Sequence, residues 1–486
     1  MSRSLLIALA SLLYSGVAAA APLAEDDASS VEQGGPASMG SDSVDELDEL
    51  DSLDGLDDLD ALDGLDSLDG GGGDTGDRRI RLHQYRYFAA VEARIYLVDR
   101  ELPSNDQQLL LDTELELDFR FAKRMKLFLR PRFLIDGFDT ELMRFEPLEG
   151  YLAYEGRRTG VKLGQFIENW GVAEVNNPLD VLNRRDFAVK FLDPPRLGEL
   201  GVRLTQSFEG GKAVGQPTLS AYFMPLFRPA LLPTEQSRWR PVAEGVDFRP
   251  GVGFEPSGAE QMFGALRFEH TLNTKPFNAD VLYLLSHGPE RFPYFLPVQG
   301  PVGMDFVPVY YGVTVAGLGM RAVPNTVGWS RLTFKLELAY KRPFEFEGSP
   351  GQRQDDYVQY TGGFDLLINP VFTERDEVLL TLEYAGENGA SDLASIFRPF
   401  DSDIAVRLFW QGLDFARTAV ELRAVVDVKH AELVAEATVG RQLRFIHDDL
   451  RLTLTGTYMR AATGGRGLLQ FFSNNSAIVV RLQLDL

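Results

Sequence analysis

A strict two-residue alternation between Leu109 and Ile135 constrains this chain more than any other feature. Leu111, Thr113, Leu115, Leu117, Phe119 and Phe121 alternate with Asp112, Glu114, Glu116, Asp118 and Arg120. After Ala122 to Met125, a second run sets Leu127, Leu129, Pro131, Phe133 and Ile135 against Lys126, Phe128, Arg130, Arg132, Leu134 and Asp136. A strand sends successive side chains to opposite faces, so the two runs form a hairpin with one apolar and one charged face. Two architectures bury such a face. One is a β-sandwich; the other is a closed barrel whose apolar face meets lipid while its polar face lines a lumen.

The rest of the chain separates them. The same alternation returns at Ile80 to Val98, Arg331 to Lys341, Arg417 to Lys429 and Ala477 to Leu486. Eighteen candidate strands start near residues 80, 108, 126, 147, 161, 199, 217, 261, 277, 307, 328, 355, 376, 402, 417, 432, 450 and 476. Sixteen is the alternative count, because 429 to 449 admits a second parsing. Every other connection is short, as at 122–125, 156–160 and 273–276, whereas 167–198, 226–260 and 287–306 are long. Barrels of the outer membrane sort their loops in this way, and a sandwich has no reason to. No later stretch offers 18 consecutive apolar residues, so a membrane would be crossed by strands. The expected fold is all-β, a closed antiparallel transmembrane β-barrel of about 18 strands over 78–486.

Residues 1–21 read as a secretory signal peptide: Arg3, an apolar run from Leu5 to Val17, then small residues Ala18 to Ala21. The chain has no Cys, so it would pass an oxidising compartment without disulfides. The expected destination is the outer membrane of a Gram-negative bacterium, with its lipids as surroundings. The net charge of −23 is concentrated in residues 22–77, which carry 19 acids and no base. From Leu47 to Gly70 this arm repeats Leu-Asp-x eight times. A period of three fits neither helix nor strand, and self-repulsion favours an open, disordered chain in the periplasm. Two sharper readings stay open: residues 44–70 as a multivalent Ca²⁺ ligand, or as a bait for a periplasmic partner.

Downstream of the hairpin, Gly164-Gln165, Trp170-Gly171, Asn177-Pro178, Asp180, Asn183 and Arg185-Asp186 form a dense motif. Glycines allow close backbone approach, Asn-Pro starts a turn, and Asp180, Arg184, Arg185 and Asp186 can cross-pair. The motif resembles the loop signature of a broad, largely uncharacterised group of Gram-negative porin-like barrels. The resemblance implies movement of small solutes, often hydrophobic or aromatic ones. In the hairpin parsing the motif falls in the third external loop, a candidate constriction. Trp170, Gly171, Asn177, Pro178, Asp180, Arg184, Arg185 and Asp186 are its candidate residues. Asp112, Glu114, Glu116, Asp118, Arg120, Lys126, Arg130 and Arg132 are the candidate pore lining, where fixed charge would bias the solutes admitted. The loops at 226–260 and 287–306 hold Phe227, Leu231, Trp239, Phe292 and Phe295, too apolar for solvated tips. They are expected to pack on each other or into the mouth.

Chemistry is not indicated. The five His are His83, His270, His287, His430 and His447, and none has metal-ligand spacing. No nucleophile elbow, P-loop or dinucleotide fingerprint is present, nor a basic aromatic patch for nucleic acid. The expectation is a channel without cofactor or enzymatic activity. A different class remains open: a plugged barrel that serves an envelope transport complex through its acidic arm.

Overall fold

The computed structural model describes residues 81–486 apart from 99–105, 122, 175, 191–192, 241–245, 250–252, 301–302, 326–330, 351–354, 370, 372–375, 390–401, 413–415, 462–468, 470–471 and 473. The signal peptide (1–21), the acidic arm (22–77) and the Ca²⁺ or partner reading of 44–70 lie outside the described residues.

Five strands open the barrel: β1 (Arg81–Tyr96), β2 (Gln107–Phe121), β3 (Met125–Asp136), β4 (Arg144–Glu155) and β5 (Thr159–Phe166). The following loop carries the two-residue strands β6 (Arg184–Arg185) and β7 (Arg196–Leu197), and the wall resumes with β8 (Glu199–Ser207) and β9 (Thr218–Met224). A loop strand, β10 (Val246–Phe248), precedes β11 (Phe263–Asn273) and β12 (Phe277–Pro289). Two more loop strands, β13 (Tyr294–Gln299) and β14 (Met304–Val309), precede β15 (Gly312–Pro324). The wall then runs unbroken through β16 (Leu332–Phe344), β17 (Tyr357–Ile368), β18 (Asp376–Asn388) and β19 (Ser402–Gly412). It ends with β20 (Ala419–Asp427), β21 (Glu432–Gln442), β22 (Leu450–Arg460) and β23 (Ala477–Asp485).

Eighteen of these make one sheet in which each wall strand pairs antiparallel with the next. β1 pairs with β23 from Phe88↔Asp485 to Tyr96↔Ala477, which closes the ring. Closure leaves no sheet edge, the condition for a strand-built structure in lipid. The count is eighteen and the sixteen-strand parsing falls away. One boundary moves: the tenth wall strand starts at Gly312, not near 307, because Met304–Val309 pairs with β13 and β10 in a separate three-stranded loop sheet. The apolar run from Phe306 to Val315 is nearly continuous, so period alone does not mark where the chain leaves that sheet.

The faces alternate as the sequence does. Leu111, Phe133, Ile135, Leu336, Leu338, Tyr340 and Leu482 are exposed on the outside, while Asp112, Glu114, Arg130, Arg132, Lys335 and Glu337 are buried on the inside. This is the reverse of a soluble sheet and the pattern of an outer-membrane barrel. Connections at 122–124, 156–158 and 274–276 sit at one end; those at 167–198, 225–262 and 290–311 sit at the other.

Candidate pore and its inward loop

The β2–β3 hairpin brings its inward charges into contact. Arg132 makes a two-pronged pair with Asp112, Nε to Oδ1 at 2.8 Å and Nη2 to Oδ2 at 2.7 Å, and lies 3.5 Å from Glu114. Arg130 donates to Glu114 at 2.9 Å and approaches Glu116 at 3.4 Å and Glu149 of β4 at 3.7 Å. Lys126 stands 3.5 Å from Asp118, and Arg120 lies opposite Lys126 in the ladder. Planar guanidinium forks suit this geometry, and each acid offsets the desolvation of a neighbouring base.

The loop after β5 turns into the barrel, and its turning point follows from the Trp170-Gly171…Asn177-Pro178 motif. Gly171 has φ +98°, and a Cβ there would meet the Asn177 side chain at 2.2 Å. Only glycine allows Asn177 to fold back, where its amide donates to the Trp170 carbonyl and its oxygen accepts from the Leu179 amide at 3.2 Å. Trp170, Leu179 and Leu182 are thereby fully buried against an apolar part of the inner wall that includes Met224, Leu284, Val313 and Val315. Leu179 sits over Gly317 and Gly319 of β15, where a Cβ would come within 2.3 and 3.0 Å of its methyl groups. Trp170 meets Tyr222 edge-on at 4.9 Å.

From this seat the loop reaches across the ring. Glu337 of β16 accepts the amides of Val172 and Ala173, the latter at 2.7 Å, and lies 3.4 Å from that of Leu179. Thr361 of β17 donates to the Asn176 carbonyl at 2.7 Å, and Glu383 of β18 accepts the Glu174 amide at 3.0 Å. The Glu174 carboxylate bridges Lys335 of β16 at 2.6 Å and Arg407 of β19 at 2.9 Å. In wall order β5 is the fifth strand and β19 the fourteenth, nine steps apart in a ring of eighteen, so they face each other across the lumen. Burial pushes the Glu174 carboxyl up, but the Lys335 and Arg407 charges outweigh it and hold it at about 2.

The remaining motif residues brace the loop's return. Asp180 pairs with Arg185 and, at 2.7 Å, with Arg196. Arg184 donates to Glu146 of β4 at 2.5 Å, and Asp186 pairs with Arg144 at the foot of the same strand. Asn183 accepts the Glu168 amide at 2.9 Å and donates to the carbonyls of Phe166 and Leu197, joining the two ends of the loop. Pro178 is buried beside Leu179. Of the expected cross-pairs, Asp180–Arg185 forms, whereas Arg184 and Asp186 turn to the wall. Sequence reading missed Glu174, Thr361, Glu383 and Arg407; the alternation at Arg331 to Lys341 spans Lys335 and Glu337, but no local pattern tells which loop a wall residue will meet.

The long loops close over one another. Phe187, Trp239, Phe248, Phe295, Phe306 and Phe472 belong to one apolar cluster drawn from four connections. The loop rooted on β9 reaches the seam of the ring. There the buried Arg238 donates to Asp106 at 2.6 Å and to the carbonyls of Val98 and Asn474 at 2.8 and 2.7 Å.

No protein-family model matches the chain, and no curated protein matches it. Solved structures similar to it include OccK11 (OpdR) of Pseudomonas aeruginosa, 11% identical over 83% of this chain and 95% of its own, with a TM-score of 0.45. A BenF-like porin of Pseudomonas fluorescens Pf-5 is 12% identical over 83% and 97%, with a TM-score of 0.47. Wzi, an outer membrane protein of Escherichia coli involved in group 1 capsule assembly and a carbohydrate-binding β-barrel, is 12% identical over 82% and 84%, with a TM-score of 0.45. Among the described residues no group of three or more His, Asp or Glu is placed to hold a metal ion.

Proposed function

We propose that the protein is an outer-membrane channel for small solutes whose third external loop narrows the lumen. The observation that carries this reading is Glu174, in the loop that leaves β5, paired with Lys335 of β16 and with Arg407 of β19 on the opposite wall. A loop pinned at both ends and across the lumen acts as a fixed baffle rather than a mobile tip. The open path then lies along the half of the wall formed by β1–β4 and β20–β23, where the charges of Asp112, Glu114, Glu116, Asp118, Arg120, Lys126, Arg130 and Arg132 set the field. The apolar cap above the lumen suits solutes with a hydrophobic or aromatic part, which would partition there before meeting the charged lining.

The same cap favours a second reading, a barrel closed from the loop side until a partner or solute moves the loops. Single-channel conductance of the refolded protein in a planar bilayer separates the two. Steady ion-selective steps support the channel; no steps from a barrel shown to be folded, with steps appearing once Glu174 is replaced, support the closed form.

A further inference from the structure

Three loops and one wall strand bring a concentration of unsatisfied charge to one buried point. Arg184 comes from the inward loop, Arg228 from the loop after β9, Arg291 from the loop after β12, and Glu199 begins β8. Arg184 Nε lies 3.8 Å from Glu199, Arg228 Nε 3.9 Å and Arg291 Nη1 3.8 Å, all beyond hydrogen-bond reach. Both Glu199 oxygens, both of those Nε atoms and all three Arg291 nitrogens are buried without a hydrogen-bond partner among the described residues. Arg291 is 4% exposed and lies over the rings of Phe227 at 5.3 Å and Phe263 at 5.6 Å, which fix its plane but accept no hydrogen bond in the way an oxygen does.

Such a group is costly. A buried guanidinium with no acceptor loses its hydration and recovers little, and buried polar atoms of native proteins are overwhelmingly partnered. Charge counting points the same way. Glu146 is taken by Arg184 at 2.5 Å, leaving the single carboxylate of Glu199 to face three guanidinium groups it does not reach. Three cations against Glu146 and Glu199 leave one positive charge uncompensated. One small oxyanion would neutralise it, and its oxygens would accept from the fork of Arg291 and the free Nε edges of Arg184 and Arg228. The Arg228 side chain is 29% exposed, which gives the cluster an open edge, while its other nitrogens already hold Gln165 and the Gly198 carbonyl.

We propose that Arg291, Arg228 and Arg184 form a binding site for a singly charged oxyanion group, a carboxylate or a phosphoryl oxygen set, beside Glu199. A ligand there ties the inward loop to two loops of the cap. The site does not depend on the pore being open, so it stands or falls apart from the channel reading.

Titration calorimetry of the full-length refolded protein tests it, with sodium acetate and sodium phosphate each measured against sodium chloride at equal ionic strength. Saturable binding of acetate, of phosphate or of both, weakened at least tenfold in Arg291→Met, is the expected result. Acetate alone assigns the site to carboxylates, and phosphate alone to phosphoryl groups. Arg228→Gln, at the half-exposed edge, gives a second reading if Arg291→Met does not fold, and weakening of similar sign is expected. Heats no different from chloride, or binding unchanged in both variants, overturn the proposal.

Discussion

The inner wall of this barrel has two halves that treat the same problem differently. Over β9–β15 it carries an apolar patch, Tyr222, Met224, Leu284, Val313 and Val315, which the loop covers with Trp170, Leu179 and Leu182. Over β2–β4 it is charged, and the same loop leaves the cross-strand pairs of Asp112, Glu114, Arg130 and Arg132 intact. Apolar burial is non-directional and seats a loop firmly, whereas charge pairs offset one another but stay compatible with water. On the charged side the loop's return packs Ala188 against Leu110, Leu134 and Leu142, and on the channel reading proposed above this is the side that would carry water and ions. Between the two stands a polar latch, Glu174 with Lys335 and Arg407 and Glu337 with three loop amides, that fixes how far the loop reaches.

The largest effect should come from breaking the apolar seat. Trp170→Ala removes a fully buried indole and its contact with Tyr222, a change that costs about 3–5 kcal/mol in a packed core. The ladder of the barrel does not pass through Trp170, so the protein should still run as a folded, heat-modifiable barrel on a gel. Its single-channel conductance should rise several-fold as the loop leaves the wall. Unchanged conductance would mean that the loop is not what limits flow.

The latch should matter next. Glu174→Gln removes the acid shared by Lys335 and Arg407, a loss of about 1–3 kcal/mol for hydrogen bonds to charged groups. Lys335 keeps Asp365 at 2.6 Å and Arg407 keeps Glu421 at 2.8 Å, so the wall itself is spared. The expected signature is noisier current with frequent transitions to a larger step, because the tip is freed while the Trp170 seat holds. Conductance identical to that of the parent would place the restraint in Glu337 instead.

These two sites also mark what the sequence could convey. Wall strands were legible because period two is a local signal repeated eighteen times, and loop parity gave their direction. The inward turn was half legible: Gly171 and Asn177 are six residues apart, close enough for turn chemistry to announce itself. The latch was not, because Glu174 and Arg407 meet only after nine strands have closed around them. Neither end of that pair carries a local pattern that distinguishes it from any other inward charge.

On the charged half, Arg132→Met should change selectivity more than structure. It leaves Asp112 without its two-pronged partner and Glu114 with Arg130 alone, adding one net negative charge to the lining. Reversal potentials in a salt gradient should shift toward cations, with unitary conductance within about a factor of two of the parent, since a single lining charge acts on ion concentration rather than on the loop. A shift toward anions, or none, would remove this half of the wall from the conducting path.

The smallest effect across the ordinary pH range should be that of protons on the latch. The Glu174 carboxyl is held at about 2, against 4.5 for a free one, so its pairing contributes stability that is present above the ordinary value and lost only as pH falls through the lower one. Lys335, Arg407 and the neighbouring carboxylates Glu337, Asp365, Glu383 and Glu421 face it from β16–β20, and the two bases stay charged throughout this window. The difference between the parent and Glu174→Gln should therefore be the same at pH 7 and pH 5, and should shrink only between about pH 4.5 and about pH 2. Glu174→Gln itself should not change in that lower window, because the variant has no proton to take up at this position. A difference that already shrinks near pH 6 would mean that Lys335 and Arg407 do not hold the Glu174 proton off, and the latch would then rest on the loop amides held by Glu337.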